Sequence, residues 1–244
     1  MQLAILSDIH GNLVALETVL GELERRAIDR AICLGDVASS GPQPHEVLHR
    51  LKGLDWPIVQ GNTDAGLVHP ERYQGDDPFY RKIDEIDAWC EAQLTGSDKD
   101  FLRTFQPVIE MSLGPGVQFL GFHGSPRSYD EIIAATTPDT LIAEIFGDLR
   151  QQIFAGGHTH QQMLRRYQDT LLLNPGSVGL PYEMMRLNAS ERNVPWAEYG
   201  VLRWSAGRLD VELCRVPLDL AAVRRAALDS SMPHAEWWAS EWIE

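Results

Sequence analysis

Apolar and polar positions fall along this chain in two kinds of block, one short enough for strands and one spaced for helices, and the two follow each other in turn. Leu3 to Leu6 is an unbroken apolar run, the pattern of a strand buried on both faces. Behind Asn12, a residue type that caps helices well, Leu13, Leu16, Leu20, Leu23 and Ala27 recur at helical spacing. Arg30 to Leu34 is a second apolar strand ending in Gly35-Asp36. After the Gly41-Pro42-Gln43-Pro44 loop, His45 to Lys52 reads as a short helix. Trp56 to Val59 is a third strand, closed by Gly61-Asn62-Thr63-Asp64. Strand and helix in alternation predict a largely parallel sheet with covering helices.

The rhythm breaks between 65 and 110. Residues 69–79 are rich in Pro, Gly and charge and read as an exposed loop. Ile83, Ile86, Trp89, Cys90 and Leu94 mark an amphipathic helix, and Ser97 with Asp100 is expected to cap another that carries Phe101, Leu102 and Phe105. This stretch reads as a helical insertion, either a lid or helices packed on the sheet. Beyond it, Val108 to Leu113 and Val117 to Phe122 flank a Gly-Pro-Gly turn and predict a hairpin ending in His123-Gly124-Ser125-Pro126. Thr137-Pro138 opens a helix that runs toward Gly147. Ile153-Phe154-Ala155 leads into Gly156-Gly157-His158-Thr159-His160, and Leu171-Leu172-Leu173 into Asn174-Pro175-Gly176-Ser177-Val178-Gly179. Tyr199 to Trp204 and Leu209 to Val216 form a late hairpin about Ala206-Gly207, followed by a helix from Leu218 to Leu228. Trp237, Trp238 and Trp242 mark a tail expected to pack against the domain, with a contact between copies of the chain as the lesser reading. No repeat, low-complexity tract or linker divides the 244 residues, so one domain over 1–244 is expected.

Charge and composition narrow the function. The chain is long enough to bury a full core. Its 35 acidic against 21 basic residues give a formal charge of −14, which repels nucleic acid at long range and argues against a nuclease. No apolar run approaches the roughly 18 residues of a membrane span. The opening Met-Gln-Leu-Ala-Ile-Leu-Ser-Asp lacks the basic and apolar regions of a secretory signal. Cys33, Cys90 and Cys214 are far apart and odd in number, as befits free thiols in a reducing compartment. A cytoplasmic protein is expected.

Candidate chemistry gathers where strands end. Asp8 and His10, Asp36, Asn62, His123, and His158 with His160 each follow an apolar strand, most with glycine beside them to allow a tight turn. At the end of a strand, Asp8-x-His10 presents a carboxylate and an imidazole on one face, held by the sheet yet open to a ligand. Two carboxylates, one amide oxygen and four imidazoles suit two divalent ions of intermediate softness. Mn, Fe or Zn fits best, with Ni or Mg as further options, whereas Ca takes oxygen almost throughout. Asp36 is placed to bridge the pair. His45, His49, His69 and His234 follow no such strand ends and read as structural; Arg165 and Arg166 follow the His158–His160 loop and read as solvated surface first, with contact to a substrate phosphate as the lesser reading.

In that order, Asp8-x-His10, Gly35-Asp36, Gly61-Asn62, His123 and Gly157-His158-Thr159-His160 resemble the motifs of the calcineurin-like metallophosphoesterase superfamily over about residues 1 to 160. The later Asn-Pro-Gly-Ser-Val-Gly resembles its small bacterial and archaeal phosphodiesterase branch. The resemblance implies an α/β fold, a four-layer α-β-β-α sandwich with two mixed sheets, built around a dinuclear metal centre. It implies that Asp8, His10, Asp36 and His160 hold one ion and that Asp36, Asn62, His123 and His158 hold the other. A hydroxide bridging the ions would attack phosphorus in line. Asn62 would also touch the phosphate, with Asn12 a weaker candidate for the same contact.

One position departs from the family. Many members carry His after the Gly-Asn pair, oriented by a following acidic residue, and that His helps to protonate the leaving group. Here Thr63 stands in its place, with Asp64 next. A hydroxyl is no general acid near neutral pH, so a contribution of about 10²–10⁴ in rate is missing. Turnover is therefore expected to be slow and best on esters with good leaving groups. Thr63 remains a candidate substrate contact and Asp64 a candidate proton-handling or supporting residue. The reaction expected is metal-dependent hydrolysis of a small phosphodiester or nucleotide-type substrate. The alternatives are a phosphomonoesterase, including a protein phosphatase, and a non-catalytic metal-binding scaffold of the same fold. All seven ligand positions are filled, which a scaffold would not require.

Overall fold

Alternation of side chains along the central strands decides the layering. In the computed structural model, which describes residues 1–184 and 191–243, β1 (Gln2–Leu6) sends Leu3 and Ile5 into one core and Ala4 and Leu6 into another. β2 (Arg30–Cys33) divides in the same way, Ile32 to the first and Ala31 and Cys33 to the second. The two strands pair in parallel across the helix α1 (Leu13–Arg25). On its other side β1 runs antiparallel to β10 (Trp196–Ser205), which forms a long hairpin with β11 (Arg208–Pro217). The hairpin turns on Ala206 and Gly207 with φ of 49° and 79°, the two-residue geometry that matches strand twist. The first sheet therefore reads β11-β10-β1-β2.

The second sheet has the order β3-β4-β5-β7-β6, built from Ile109–Gly114, Val117–Gly121, Ile153–Ala155, Thr170–Asn174 and Met163–Tyr167 respectively. Its centre is parallel and both edges are antiparallel. Leu3, Ile5, Ile32 and Leu34 meet Phe119, Ile153, Ala155 and Leu173 between the sheets. Outside the first sheet lie α1, α2 (Pro44–Lys52), α4 (Pro78–Gln93), α7 (Leu220–Asp229) and α8 (Ala235–Ser240), with Leu16, Leu48, Ile86, Val223 and Trp238 in one cluster. Outside the second, α6 (Asp139–Phe146) packs Ile142 and Phe146 on Leu120, Phe154 and Leu172. Helix, sheet, sheet, helix is the four-layer order the family resemblance implies. The sheets are mixed, not largely parallel as the strand–helix rhythm alone suggests, because the late hairpin and β6 add antiparallel edges. Among the described residues no helix is long and apolar enough to cross a membrane.

Several local expectations shift. Trp56 to Val59 makes only isolated parallel bridges, Cys33 with Ile58 and Val59 with Gln106, since Pro57 has no N–H to extend the ladder. Asn62 opens a short helix, α3 (Asn62–Val68), which the glycine in its middle conceals. β6 and the ribbon of β8 (Tyr182–Met184) with β9 (Glu191–Asn193) carry no apolar run to announce them. Trp238 and Trp242 are buried in the helical layer, as expected of the tail.

The cap of α5 (Gly96–Leu102) is Thr95 with Asp98, two residues before the expected pair. The Thr95 hydroxyl accepts from the Asp98 N–H at 3.2 Å, and the Asp98 carboxylate accepts from the Thr95 N–H at 2.9 Å. The same buried carboxylate takes Lys52 Nζ and His45 Nδ1 from α2, each at 2.8 Å. Burial opposes its charge, but these donors hold it well below the usual carboxylate range. Asp98→Ala should cost about 2 kcal/mol, the scale of a lost cap plus a charged hydrogen bond. A carboxyl whose folded-state pKa is depressed stabilises above its ordinary value of about 4 and loses that contribution as pH falls below it. Melting curves should thus show a gap between wild type and Asp98→Ala at pH 7 that narrows steadily toward pH 2; a gap independent of pH would refute the charged cap.

Candidate metal centre

The ends of β1 and β2 are zipped together beyond the sheet. Asp8, His10 and Gly11 donate their N–H groups to the carbonyls of Gly35, Asp36 and Val37, each at 2.9 Å. The second sheet joins from the other side. Gly157 N–H donates to His123 O at 2.8 Å, and Val178 and Gly179 donate to Ser7 O and Asp8 O at 2.9 Å. The chain then turns sharply at the functional positions: Asp8, His10, Asp36, His158 and His160 all have positive φ, between 47° and 66°. Asp, Asn and His tolerate this region better than most residues, but each instance costs about 1–3 kcal/mol and persists only where its surroundings enforce it. Gly157 lets the two sheets close, since a Cβ there would lie 2.0 Å from Ser7 Oγ and 2.8 Å from Asp8 Oδ2.

All seven predicted ligand positions come together. Asp8, His10 and His160 form one group and Asp36, His123 and His158 another, the potential ligand atoms of each lying within 4.8 Å of one another. Three imidazoles are anchored from behind by Nδ1–H bonds to backbone carbonyls: His10 to Ser39 at 3.1 Å, His123 to Leu34 at 2.8 Å and His160 to Leu180 at 2.8 Å. Each therefore aims Nε2 inward, the arrangement that outer partners give to metal-binding histidines. Asp36 Oδ2 lies 3.8 Å from His10 Nε2 and 3.3 Å from His123 Nε2, so one oxygen faces both groups. Asn62 Oδ1 lies 2.9 Å from His123 Nε2 and 3.1 Å from His158 Nδ1.

The electrostatics ask for a cation. Asp8 is wholly buried, and its Oδ1 has no hydrogen-bond partner among the described residues although His160 Nε2 is 3.3 Å away. A buried carboxylate oxygen without a hydrogen bond is expensive. Burial opposes charge on Asp8 and Asp36, yet the surrounding imidazoles hold both carboxyls below their ordinary range. Burial likewise opposes charge on His123, and Asp36 overrides it, raising the ring to about 10. Burial and the neighbouring His160 lower His10 to about 4, whereas His160, facing Asp8, is raised. A charged His160 donating to a neutral His10 accounts for the 3.0 Å between their Nε2 atoms. Anchored imidazoles, two carboxylates and one orphaned carboxylate oxygen fit divalent cations well.

The remaining candidates lie behind this cluster. Asn12, expected as a phosphate contact, is buried and caps α1, accepting from Ala15 N–H at 3.0 Å, while its Nδ2 donates to Gly179 O at 3.0 Å. Asp64 is wholly buried and accepts from three backbone N–H groups, those of Asp36 at 2.8 Å, Val37 at 3.0 Å and Gly61 at 3.0 Å. Burial and the Asp36 charge push its carboxyl up to about 7 against the pull of those donors. Thr63 donates its N–H to Asp36 Oδ1 at 3.0 Å, and its hydroxyl is buried without a partner among the described residues. The Asn174–Gly179 loop clasps the site: Asn174 Nδ2 donates to Gly157 O at 2.7 Å and Ser177 Oγ to Asp8 O at 2.7 Å. Arg165 is turned away, bonded to Ala135, Thr137 and Asp139. The anchoring carbonyls of Leu34, Ser39 and Leu180 have no sequence signal, since every residue has a carbonyl.

Fold and site together define a metal-dependent phosphoesterase. The calcineurin-like phosphoesterase superfamily domain matches residues 1–191, and the chain belongs to that superfamily, which implies divalent metal ions. The chain is 27% identical to an uncharacterized protein of Methanocaldococcus jannaschii, the match covering 96% of this chain and 94% of that one. Among solved structures it is similar to a metallophosphoesterase from Sphaerobacter thermophilus, with a TM-score of 0.73, 25% identity and coverage of 99% of this chain and 97% of that one. It is also similar in fold to a hypothetical protein from Pyrococcus horikoshii, at a TM-score of 0.78, 19% identity and coverage of 98% and 96%.

If the closure at Gly157 assembles the site, a single methyl there should open it. Gly157→Ala is expected to lower the melting temperature by several degrees and the bound metal per chain. Gly66→Ala, in a helix with nothing within 4 Å of the new methyl, should instead raise stability by about 0.5–1 kcal/mol with metal content unchanged. Equal metal content in the two variants would contradict this account of the closure.

Proposed function

We propose that the chain hydrolyses phosphodiesters with two divalent ions. Asp8, His10 and His160 hold one, Asn62, His123 and His158 the other, and Asp36 lies between them. The observation that carries this reading is the single oxygen of Asp36 facing an imidazole of each group. Ions held there would supply Lewis acidity for the phosphoryl oxygens and acidify the attacking water. The chain's own residues do the rest. Nδ1 bonds to carbonyls fix three rings before any ligand arrives, so little reorganisation is needed at the moment of reaction. Asp64 holds the Asp36 turn through backbone N–H groups, which makes it a positioning residue. Asn12 ties α1 to the Gly179 loop in the same supporting sense.

The preference for diesters rests on Thr63. The position after Asn62 carries no imidazole to protonate a leaving alkoxide, and a threonine hydroxyl does not do so near neutral pH. Small diesters with stable leaving groups suit such a site, and the formal charge of −14 disfavours long polyanions. Mn, Fe or Zn is proposed as the metal on the mixed imidazole and carboxylate set. The test is hydrolysis of a chromogenic phosphodiester beside its monoester by metal-stripped protein reloaded with Mn. Diester turnover should exceed monoester turnover, and Asp36→Asn should lower it by at least about a hundredfold, the scale of losing a principal electrostatic group, while reducing bound metal. Undiminished turnover in Asp36→Asn would end the two-ion reading. A faster monoester reaction would make the protein a phosphomonoesterase.

A further inference from the structure

The loop between β2 and α2 leaves the metal centre and runs at once beneath two outer helices. Its residue Ser39 supplies the carbonyl that orients the His10 ring. The hydroxyls of Ser39 and Ser40 both donate to one oxygen of Asp87, in the middle of α4, at 2.7 and 2.8 Å. One turn further along α4, Cys90 Sγ donates to Gly41 O at 3.4 Å. From α8, Trp238 donates its indole N–H to Ser40 O at 2.9 Å. Ser40 holds a φ of 66°, unfavourable for serine, so the loop keeps this shape only while something holds it. It also presses directly on a ligand, since a Cβ on Gly41 would stand 1.8 Å from His10 O.

We propose that Asp87 is a positioning residue for the metal centre: through the hydroxyls of Ser39 and Ser40 it fixes the carbonyl that orients His10, and so sets metal affinity in the Asp8–His10–His160 group. Its selectivity follows from connectivity. His123 and His160 are anchored by Leu34 and Leu180; Leu34 is tied to β1 by its N–H bond to Leu6 O at 2.8 Å, five residues before the nearer of the two serines that Asp87 grips, and Leu180 lies outside that loop. Removing the carboxylate strands two buried hydroxyls without an acceptor and frees the loop to relax from the strained Ser40 conformation. The His10 ring then loses its fixed partner while the other two rings keep theirs. On this account the helical stretch between 65 and 110 is wired to one side of the metal centre, beyond any covering role.

The assignment of ions rests on the two-ion reading, so the first measurement avoids metal altogether. In metal-free full-length protein, imidazole proton–nitrogen NMR should show the Nδ1–H of His10 protected from exchange. In Asp87→Ala that protection should be lost at His10 alone and retained at His123 and His160. Asp87→Asn keeps an oxygen able to accept both hydroxyls and should recover most of it. Titration with Mn should then show Asp87→Ala losing affinity for one ion by roughly 10–100-fold, the usual effect of removing an outer partner of a ligand, with the second ion held as in wild type. If Asp87→Ala does not fold, the double variant Ser39→Ala/Ser40→Ala removes the same bonds from the other end and takes its place. Unchanged His10 protection would overturn the inference, as would equal loss at all three histidines. A wild type that binds a single ion would overturn the two-ion reading, with the NMR comparison still deciding the role of Asp87.

Discussion

Asp8 and Asp36 are both buried just beyond the ends of two adjacent parallel strands, and keeping both carboxylates charged there requires compensating positive charge. In the protein alone the compensation is borne by imidazoles, with His123 raised to about 10 and His160 raised in the same direction. Those rings reach the carboxylates from the second sheet, so the charge balance of the site and the packing of the two sheets are one problem. Leu3, Ile5, Ile32 and Leu34 fix how the sheets face each other a few residues below. The ligands above inherit that geometry. A low-dielectric floor strengthens whatever ion pairing occurs over it, which favours tight cation binding and penalises an incomplete set of ligands.

Bringing ligands from both sheets to one place requires the chain to reverse direction within a residue or two of each strand end. That is why five of the seven candidate ligand positions sit at positive φ. Strain of this kind is stable only where it is over-determined, and here the restraint is backbone to backbone. The zipper from Asp8 to Gly11 along Gly35 to Val37 holds one side, and Val178 and Gly179 hold the other. Among the described residues no candidate ligand lies beyond His160, yet Asn174 and Ser177 bond directly to the turns that carry the candidates. Rigidity at the site is thus a property of the whole first sheet and the loop that closes over it. Such a site is organised before it binds, which limits reorganisation during reaction.

The candidate ligands stand out because three constraints coincide in one-dimensional sequence: an apolar strand, a glycine, and a residue able to donate to a metal. The supporting contacts obey no such rule. Asn12 could be read as a helix cap or a phosphate contact from the same position, and its bonds to Ala15 and Gly179 are visible only in three dimensions. Thr95 with Asp98 and Ser97 with Asp100 have the same three-residue spacing; the first wins because its carboxylate also meets Lys52 and His45 across the helix interface. Pro57 shows the converse, where an apolar run reads as a strand but one missing N–H confines it to bridges. Asp87 is three residues from Asp84 and two from Glu85 on an acidic helix, and nothing in that spacing tells the buried anchor from its solvated neighbours.

The residue after Asn62 bears on the chemistry through what surrounds it. Asp64 is the acidic residue that in many relatives would orient a histidine at the preceding position. In this chain both of its oxygens are committed to the N–H groups of Asp36, Val37 and Gly61. It could not turn toward a leaving group without releasing the Asp36 turn, and that turn carries the one oxygen that faces both candidate groups. Thr63 in turn spends its N–H on Asp36 and buries its hydroxyl. Both residues of this segment thus hydrogen-bond to Asp36, Thr63 to its side chain and Asp64 to its backbone. On the proposed reading, barrier lowering then falls to charge stabilisation at phosphorus, and the departing group must be stable as an anion in its own right. That constraint selects substrates by the acidity of their leaving alcohol before any pocket selects them by shape.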